Sequence, residues 1–598
     1  MCGIAGIFSL RHSPGETHAA GARMEQSLVH RGPDDRGLWQ SACHQATLVH
    51  RRLSILDLSH GAAQPMTTPD GRYTLCFNGE IYNFRELRAE IQDQGCHFQT
   101  SSDSEVILQL YARDGADCVK RLRGMFAFVI WDAVRQTAFL ARDPLGIKPL
   151  YWHQSDGLLV FASELRALCQ SQLFQPTLSA EAVQRYFETG SVPEPLTLIR
   201  EARMLEAGHA MEWHNGQCKT WSFWQLTFSA TTSTATEAVK MTRSALLESV
   251  DHHFVSDVPV GIFLSGGIDS TALLALANET GHAGCSTFSI AVDDEAADES
   301  AIARRSATHF GSDHHELRLD AELAQESFSQ FLDHLDQPTI DGFNTFTVSK
   351  LAARHGMKVV LSGLGGDEVF GGYASFAKIP MMCRWHGIAR RVPGLAALLD
   401  RSKPQHHRLA DFLRSPGTAA DAYASLRGIF SQTEAAQLTA WITGGKADSG
   451  KWKMENGVRL SCMGDQISEL ELTRYMRHQL LRDSDVMSMA HGLELRVPFV
   501  DRALLESVAS IPAALRLQPG KRLLTQAVPE VPDWVVNQKK RGFLFPFHKW
   551  LGSSWGEAFD AASSAAPVPM STWYQKWSVF VLRHLILRID LPCCLPRP

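Results

Sequence analysis

The sequence predicts two unlike domains in series: an α+β sandwich over residues 2–210, then an α/β unit with a parallel sheet over 237–551. Three observations support this. Short alternating or apolar runs crowd the first third, at 4–8, 47–56, 73–77, 125–131, 137–142 and 158–162, with few helices among them. From about 237, helical patterns alternate with near-continuously apolar strands at 258–264, 286–292, 314–319 and 358–362, as in a sheet covered on both faces. After the first of these strands a glycine turn, SGGIDS, opens an Ala/Leu-rich helix. At 598 residues the chain is long enough to bury more than one core.

Composition excludes several classes. The net charge of −6 argues against a nucleic-acid coat, and the one dense basic cluster is Lys539, Lys540 and Arg541. Twelve cysteines are scattered without a CxxC pair, which suits a reducing cytoplasm and gives no zinc or disulfide framework. No charged-then-apolar leader opens the chain. The late apolar stretch at 577–589 is interrupted by Arg583, His584 and Arg588, so a core or lid helix is expected there and not a membrane span. Small-molecule substrates, with neither nucleic acid nor membrane, are the expected partners.

The chain opens MCGIAGIF. Removal of Met1 would leave Cys2 first, with a thiol and a free α-amine on one residue. That amine, with an ordinary pKa of about 7.7–8.0, can take the thiol proton near neutrality. The pair is nucleophile and base without a histidine; the simpler reading is a packed apolar cysteine in a first strand. Helices fit 84–94 and 103–113, with Leu87, Ile91, Ile107, Leu110 and Tyr111 on spaced faces. Between the strands lie polar clusters: RGPDDRG (31–37), HRRLSILD (50–57), FNGEIYNF (77–84) and SSDSE (101–105).

Residues 191–223, interrupted by Pro193 and Pro195, look like a connector, and the polar patch 228–236 like an exposed link. A helix fits 237–254. The strand at 260–264 then meets Ser265, Gly266 and Gly267, and Ser270 and Thr271 begin the next helix. Strand, glycine turn and helix N-terminus make an anion site, with backbone N–H groups facing outward. Asp269 would repel a phosphate there unless a divalent cation lay between them, so a magnesium–polyphosphate site is expected. A second glycine cluster, LSGLGGDEVFGGY (361–373), again permits close backbone approach. Residues 378–460 and the extension 552–598 carry no legible chemistry.

The turn at 265–270 resembles the pyrophosphate loop of the N-type ATP pyrophosphatases. MCGI, RGPDD, HRRLSILD, FNGEIYN, SDSE, ARDPLGIKPLYW (141–152) and FASELRAL (161–168) resemble the class II glutamine amidotransferase domain, an N-terminal-nucleophile αββα sandwich. In this order, up to about residue 551, the motifs resemble the glutamine-hydrolysing asparagine synthetase family, whose second domain is a parallel-sheet ATP pyrophosphatase fold.

The resemblance implies roles residue by residue. Cys2 would attack the glutamine amide, and the Asn78 side chain with the Gly79 N–H would form the oxyanion hole. Arg52 would bind the glutamine α-carboxylate, Asp103 and Glu80 its α-amine, with Leu53, Ser54 and Ile55 completing the pocket. Leu264 and Ile290 would flank adenine. Ser265, Gly266, Gly267, Asp269, Ser270, Ser362 and Gly363 would line the ATP site. Asp269 and Asp367 would hold Mg2+, and Lys540 would contact the phosphate beside the reacting carbonyl. ATP and Mg2+ are thus the implied cofactors, aspartate the leading acceptor, and a homodimer is common in the family. An apolar passage would carry ammonia between the centres. Asp143, Arg142, Lys148, Asp483, Asp485, Arg496 and Asp501 read as structural or interface charges. The sequence departs from the family at Leu364, where an acidic residue is usual, and in DQPTIDGFNTF (336–346). Leu364 leaves open a larger carboxylate acceptor, such as a sugar acid or peptide, and a non-catalytic glutamine- or nucleotide-sensing homologue is the alternative from another class.

Overall fold

In the computed structural model, which describes residues 2–231, 234–295, 297–445, 462–538, 545–552 and 555–591, two antiparallel sheets stack in the N-terminal third. Their strands are β1 (Cys2–Ser9), β2 (Asp35–Gln40), β3 (Ala46–Arg52), β4 (Met66–Thr67), β5 (Tyr73–Ile81), β6 (Gly124–Asp132), β7 (Thr137–Arg142), β8 (Tyr151–Ser155), β9 (Leu158–Ala162), β10 (Arg203–Met204), β11 (His209–His214) and β12 (Gln217–Ser222). One sheet runs β10-β8-β9-β1-β3-β2 and the other β12-β11-β7-β6-β5-β4.

Alternation decides the layers. Ile4 and Phe8 of β1 face the second sheet, where Phe8 stacks on Trp131 and Trp213, each at 5.6 Å between centroids. Ala5 and Ile7 face the other way, into a core shared with Ala20, Met24 and Leu28. The outer face of the second sheet is covered by helices Phe84–Asp93 and Asp103–Asp114 through Leu87, Ile91, Ile107, Leu110 and Tyr111. The result is the αββα sandwich.

Three details differ from the sequence reading. Strand β3 stops at Arg52 and not at 56, because Asp57 takes a left-handed φ of 50° and Arg52 grips the carbonyls of the turn. The helix Pro14–Ser27 was not expected, although Ser13 and Glu16 form a capping box with proline at the first turn. Strands β11 and β12, where the resemblance implies linking strands up to Trp221, carry the second sheet to Ser222, past the boundary at 210.

The second half holds a five-stranded parallel sheet, order β15-β14-β13-β16-β17, of β13 (Val260–Phe263), β14 (Ser286–Val292), β15 (Asp313–Leu319), β16 (Val359–Leu361) and β17 (Glu494–Arg496). Strands β14 and β16 flank β13 on opposite sides, so the loops leaving β13 and β16 meet at a topological switch point. β17 was not expected; three residues are too short for a periodic signal.

The C-terminal segment joins the core. Trp577, on the helix Trp573–Arg588, is buried among Phe328, Phe331 and Phe547, and its indole N–H donates to the Thr339 carbonyl at 3.0 Å. Charged side chains bind the two halves. Arg31 pairs with Asp485 at 2.8 Å, Arg496 with Glu80 at 3.0 Å, and Arg123 with Asp501 at 2.9 Å. Lys148 lies 3.4 Å from Asp485; within the halves, Arg142 pairs with Glu194, and Asp483 accepts from the Thr339 hydroxyl at 2.5 Å. No helix among the described residues is long and apolar enough to cross a membrane.

Candidate active sites

The first centre lies at the start of β1. Antiparallel pairing sets Cys2 opposite Arg52, and β5 brings Asn78 beneath the same strand end. The Cys2 N–H donates to Asn78 Oδ1 at 2.9 Å. That bond fixes the amide orientation, and the opposite atom, Asn78 Nδ2, is buried with no hydrogen-bond partner among the described residues. A buried donor left unpaired costs about 1–3 kcal/mol, so it marks a place for an acceptor. Gly79 is extended with φ 155°, and a Cβ there would meet the Met125 carbonyl oxygen at 2.1 Å. Only glycine lets β5 lie this close to β6 beside the cleft.

The cleft is lined by Cys2, Arg52, Leu53, Ile55, Gly79, Glu80 and Asp103, seven of the sequence-assigned residues. Ser54 and Asn78 are not among them: the Ser54 N–H donates to Asp34 Oδ2 at 2.7 Å, and Asn78 is fully buried behind the strand end. Arg52 spends three N–H groups on the Leu56, Asp57 and Ser59 carbonyls, which leaves two for an anion. Burial pushes the Cys2 thiol up, and the Leu53 N–H and Arg52 pull it part-way back. Burial also pushes the Asp103 carboxyl up to about 6, against the Ile81 N–H it accepts at 3.0 Å. Glu80 is raised by burial too, despite Arg496. Sequence reasoning missed Gln64, whose amide ties the Phe77 N–H at 2.7 Å to the Ser104 hydroxyl at 3.1 Å along one wall. It also missed Glu494, which lies near enough to Cys2 to bear on its thiol and pairs with Arg496 at 2.6 Å.

The second centre lies where the loops after β13 and β16 meet. Gly266 turns the chain with φ 77°, and the helix Ile268–Glu279 begins at Gly267 with no side-chain cap. Its first N–H groups therefore face the turn, as an anion requires. The Ser265 and Ser270 hydroxyls lie 3.1 Å apart, and Ser270 also accepts the Ser265 N–H, so side chains brace the turn and leave the helix end open. The loops press together: a Cβ on Gly363 would meet the Ser270 nitrogen at 3.0 Å, and one on Gly366 would meet Asp269 Oδ1 at 2.3 Å. Leu264 and Ile290 are buried on β13's end and β14, and the Ser362 N–H donates to the Arg496 carbonyl.

Sequence reasoning did not foresee Lys521. Its Nζ contacts Asp269 Oδ2 at 2.5 Å and Asp367 Oδ1, so one ammonium joins the two carboxylates read as metal ligands. Burial lowers the Lys521 pKa, but the two carboxylates outweigh this and leave it raised. Lys521 takes a left-handed φ of 53° after Gly520, so the backbone is strained to hold it there. No third His, Cys, Asp or Glu joins these carboxylates in a metal-binding group among the described residues. Two hard carboxylates fit Mg2+ when phosphate oxygens supply further ligands. Leu364 is half-buried against the core, and Glu368 beside Asp367 is pushed up to about 8 by burial. Lys540 lies outside the described residues.

Comparison with known proteins finds a family model for each half of the chain. Residues 1–224 match the glutamine amidotransferase domain model, and residues 241–579 the asparagine synthase model. The chain belongs to the asparagine synthase family. An asparagine synthetase [glutamine-hydrolyzing] of Bacillus subtilis is 33% identical over 578 residues, covering 93% of this chain and 89% of that one. A putative asparagine synthetase [glutamine-hydrolyzing] of Mycobacterium tuberculosis is 33% identical over 600 residues, covering 94% and 91%. Both domains characteristic of the asparagine synthases are therefore present in one chain.

Proposed function

We propose that this asparagine synthase amidates aspartate with nitrogen from glutamine at the expense of ATP. The observation that carries the reading is the pairing of an N-terminal cysteine, set beside an unpaired Asn78 amide, with a glycine turn opening an uncapped helix in the same chain. Once Met1 is removed, the Cys2 α-amine takes the thiol proton and Sγ attacks the glutamine amide carbon. Asn78 Nδ2 and the Gly79 N–H receive the oxyanion. Arg52 takes the α-carboxylate; Asp103 and Glu80 face the α-amine. Ammonia leaves as the thioester forms, and water then releases glutamate.

At the second centre, the turn 265–270 and the helix N-terminus hold the ATP phosphates, Ser362 and Gly363 line the nucleotide, and Leu264 and Ile290 flank adenine. An aspartate carboxylate oxygen bonds to the α-phosphorus while pyrophosphate leaves; ammonia then bonds to the acyl carbon and AMP leaves. Mg2+ held by Asp269 and Asp367 would neutralise charge on the phosphates. Lys521 orients those carboxylates, and Lys540 is proposed to meet the phosphate near the reacting carbonyl. Ammonia would pass across the seam bound by Arg31–Asp485 and Glu80–Arg496. A cytoplasmic location and a homodimer accord with this chemistry.

A product assay tests the reading. With glutamine, ATP and magnesium, AMP, pyrophosphate and asparagine should appear only when aspartate is present, with glutamate formed alongside them. Glutamate without asparagine or AMP would sink the aspartate assignment and leave a working first centre.

A further inference from the structure

Away from both centres, a cavity of about 660 Å³ opens between the sandwich and the C-terminal helices. None of its lining residues belongs to the cleft at Cys2 or to the loops 265–270 and 362–367. The Tyr475 ring, in its wall, and Tyr373, which donates to Glu368 at 2.8 Å, stand between it and the second loop. The volume falls in the range of about 300–1,000 Å³ typical of sites for small organic ligands.

Two features of the lining point to a ligand. The first is charge without a partner. Arg408 and Arg474 line the cavity, and neither makes a hydrogen bond or ion pair among the described residues. Arg474 has only the face of Tyr423 at 5.8 Å. Burial lowers the pKa of both guanidiniums, and outweighs the pull of Glu434 on Arg408 and of Glu469 and Asp421 on Arg474, none of which makes an ion pair with them among the described residues. The acids of the lining are engaged locally: Glu188 with Arg185, Asp411 with the Gln432 N–H, Asp421 with the Thr418 N–H, and Asp341 with the Gly342 N–H. Burial moreover pushes Asp341 and Asp411 toward their neutral forms.

The second feature is the scaffold. Arg474, Tyr475, His478 and Gln479 all line the cavity from the π-helix Glu471–Leu481. A π-helix closes hydrogen bonds five residues apart, which sets residues 474 and 479 on one side; π-helical turns are rare and frequently lie at functional sites. Facing it is an aromatic wall in which Phe547 stacks on Trp573 at 4.8 Å.

We propose that this cavity is a binding site for an organic anion with an aromatic or apolar body, distinct from the glutamine cleft and from the ATP loops. Arg408 and Arg474 receive the anionic group and the aromatic wall receives the body. The C-terminal segment that the sequence left without a role builds that wall.

The test uses the full chain and 1-naphthylacetate, a carboxylate on a two-ring body, followed by calorimetry and by quenching of tryptophan fluorescence. One saturable site per chain is expected. The neutral amide, 1-naphthylacetamide, should bind about tenfold more weakly or worse, because a charge-assisted hydrogen bond is lost. Arg408→Gln and Arg474→Gln should each weaken the carboxylate by about tenfold, with Arg408→Lys retaining most of the affinity. Circular dichroism and the thermal midpoint report whether each variant folds, and the comparison of acid with amide needs no variant. Equal binding of acid and amide, displacement of the probe by glutamine or ATP, or absence of a saturable site would each overturn the proposal.

Discussion

Replacing Asn78 by alanine separates the chemistry of the first centre from its architecture. The side chain does two things: Oδ1 accepts the Cys2 N–H at 2.9 Å, and Nδ2 is buried with no partner among the described residues. Loss of one oxyanion donor raises the barrier by about 2.7–4 kcal/mol, or about 10²–10³ in kcat. Loss of the acceptor leaves the buried Cys2 N–H unsatisfied, at about 1–3 kcal/mol of stability. The first effect belongs to glutamine turnover alone, because free ammonia needs no oxyanion hole at Cys2. Glutaminase activity of Asn78→Ala should therefore fall by about 10²–10³ while KM for glutamine changes little and ammonia-dependent asparagine formation persists. Steady-state kinetics with glutamine and with ammonium chloride, on protein of verified thermal midpoint, distinguish the cases. A fall of less than about threefold in kcat would refute the oxyanion role, since no single donor in such a hole is worth so little. Parallel loss of both activities would show that the residue serves the fold and not the reaction.

Four further outcomes follow from the same structure. Cys2→Ala should abolish glutamine-dependent synthesis and retain ammonia-dependent synthesis, measured as asparagine from each donor. Lys521→Met strands two carboxylates against each other, costing about 3–5 kcal/mol locally, so AMP formation should be lost while glutaminase activity remains. Asp103 titrates at about 6 and must be ionised to receive the glutamine ammonium, so kcat/KM for glutamine should fall as pH drops through about 6; a flat profile from pH 7 to 5 would remove it from the site. Trp577→Ala, which empties a buried ring from the aromatic cluster, should lower stability by about 3–5 kcal/mol in urea unfolding and so show the C-terminal helix to be core.

Much of this architecture was legible because the two sheets announce themselves by different periodicities. β1, β5 and β14 follow alternating or continuous apolar runs, and the SGGIDS turn sits between a strand and a helix as the chemistry of an anion site demands. What escaped reading depends on distance in sequence. Lys521 reaches Asp269 across 252 residues, and nothing in PGKR marks a lysine destined for a carboxylate pair. Glu494 and Arg496, read as ion-pairing charges or not read at all, sit on a three-residue strand whose pattern is too short to see. Gln64 lies in a loop, where only tertiary contact shows that it braces the pocket wall. The helix Pro14–Ser27 is the exception: its capping box stood in the sequence, but weak amphipathicity hid it. Ser54 failed to reach the cleft because Asp34 holds its backbone at the domain seam.

The proposed reaction moves glutamine's amide nitrogen onto an adenylated aspartate within one chain. The most direct measurement supplies [amide-15N]glutamine and aspartate labelled with 18O in its carboxylates, with ATP and magnesium, and reads both products by mass spectrometry. The account predicts 15N in asparagine and one 18O in the phosphate of AMP. Glutamate released while AMP stays unlabelled, with no 15N-asparagine, would contradict it.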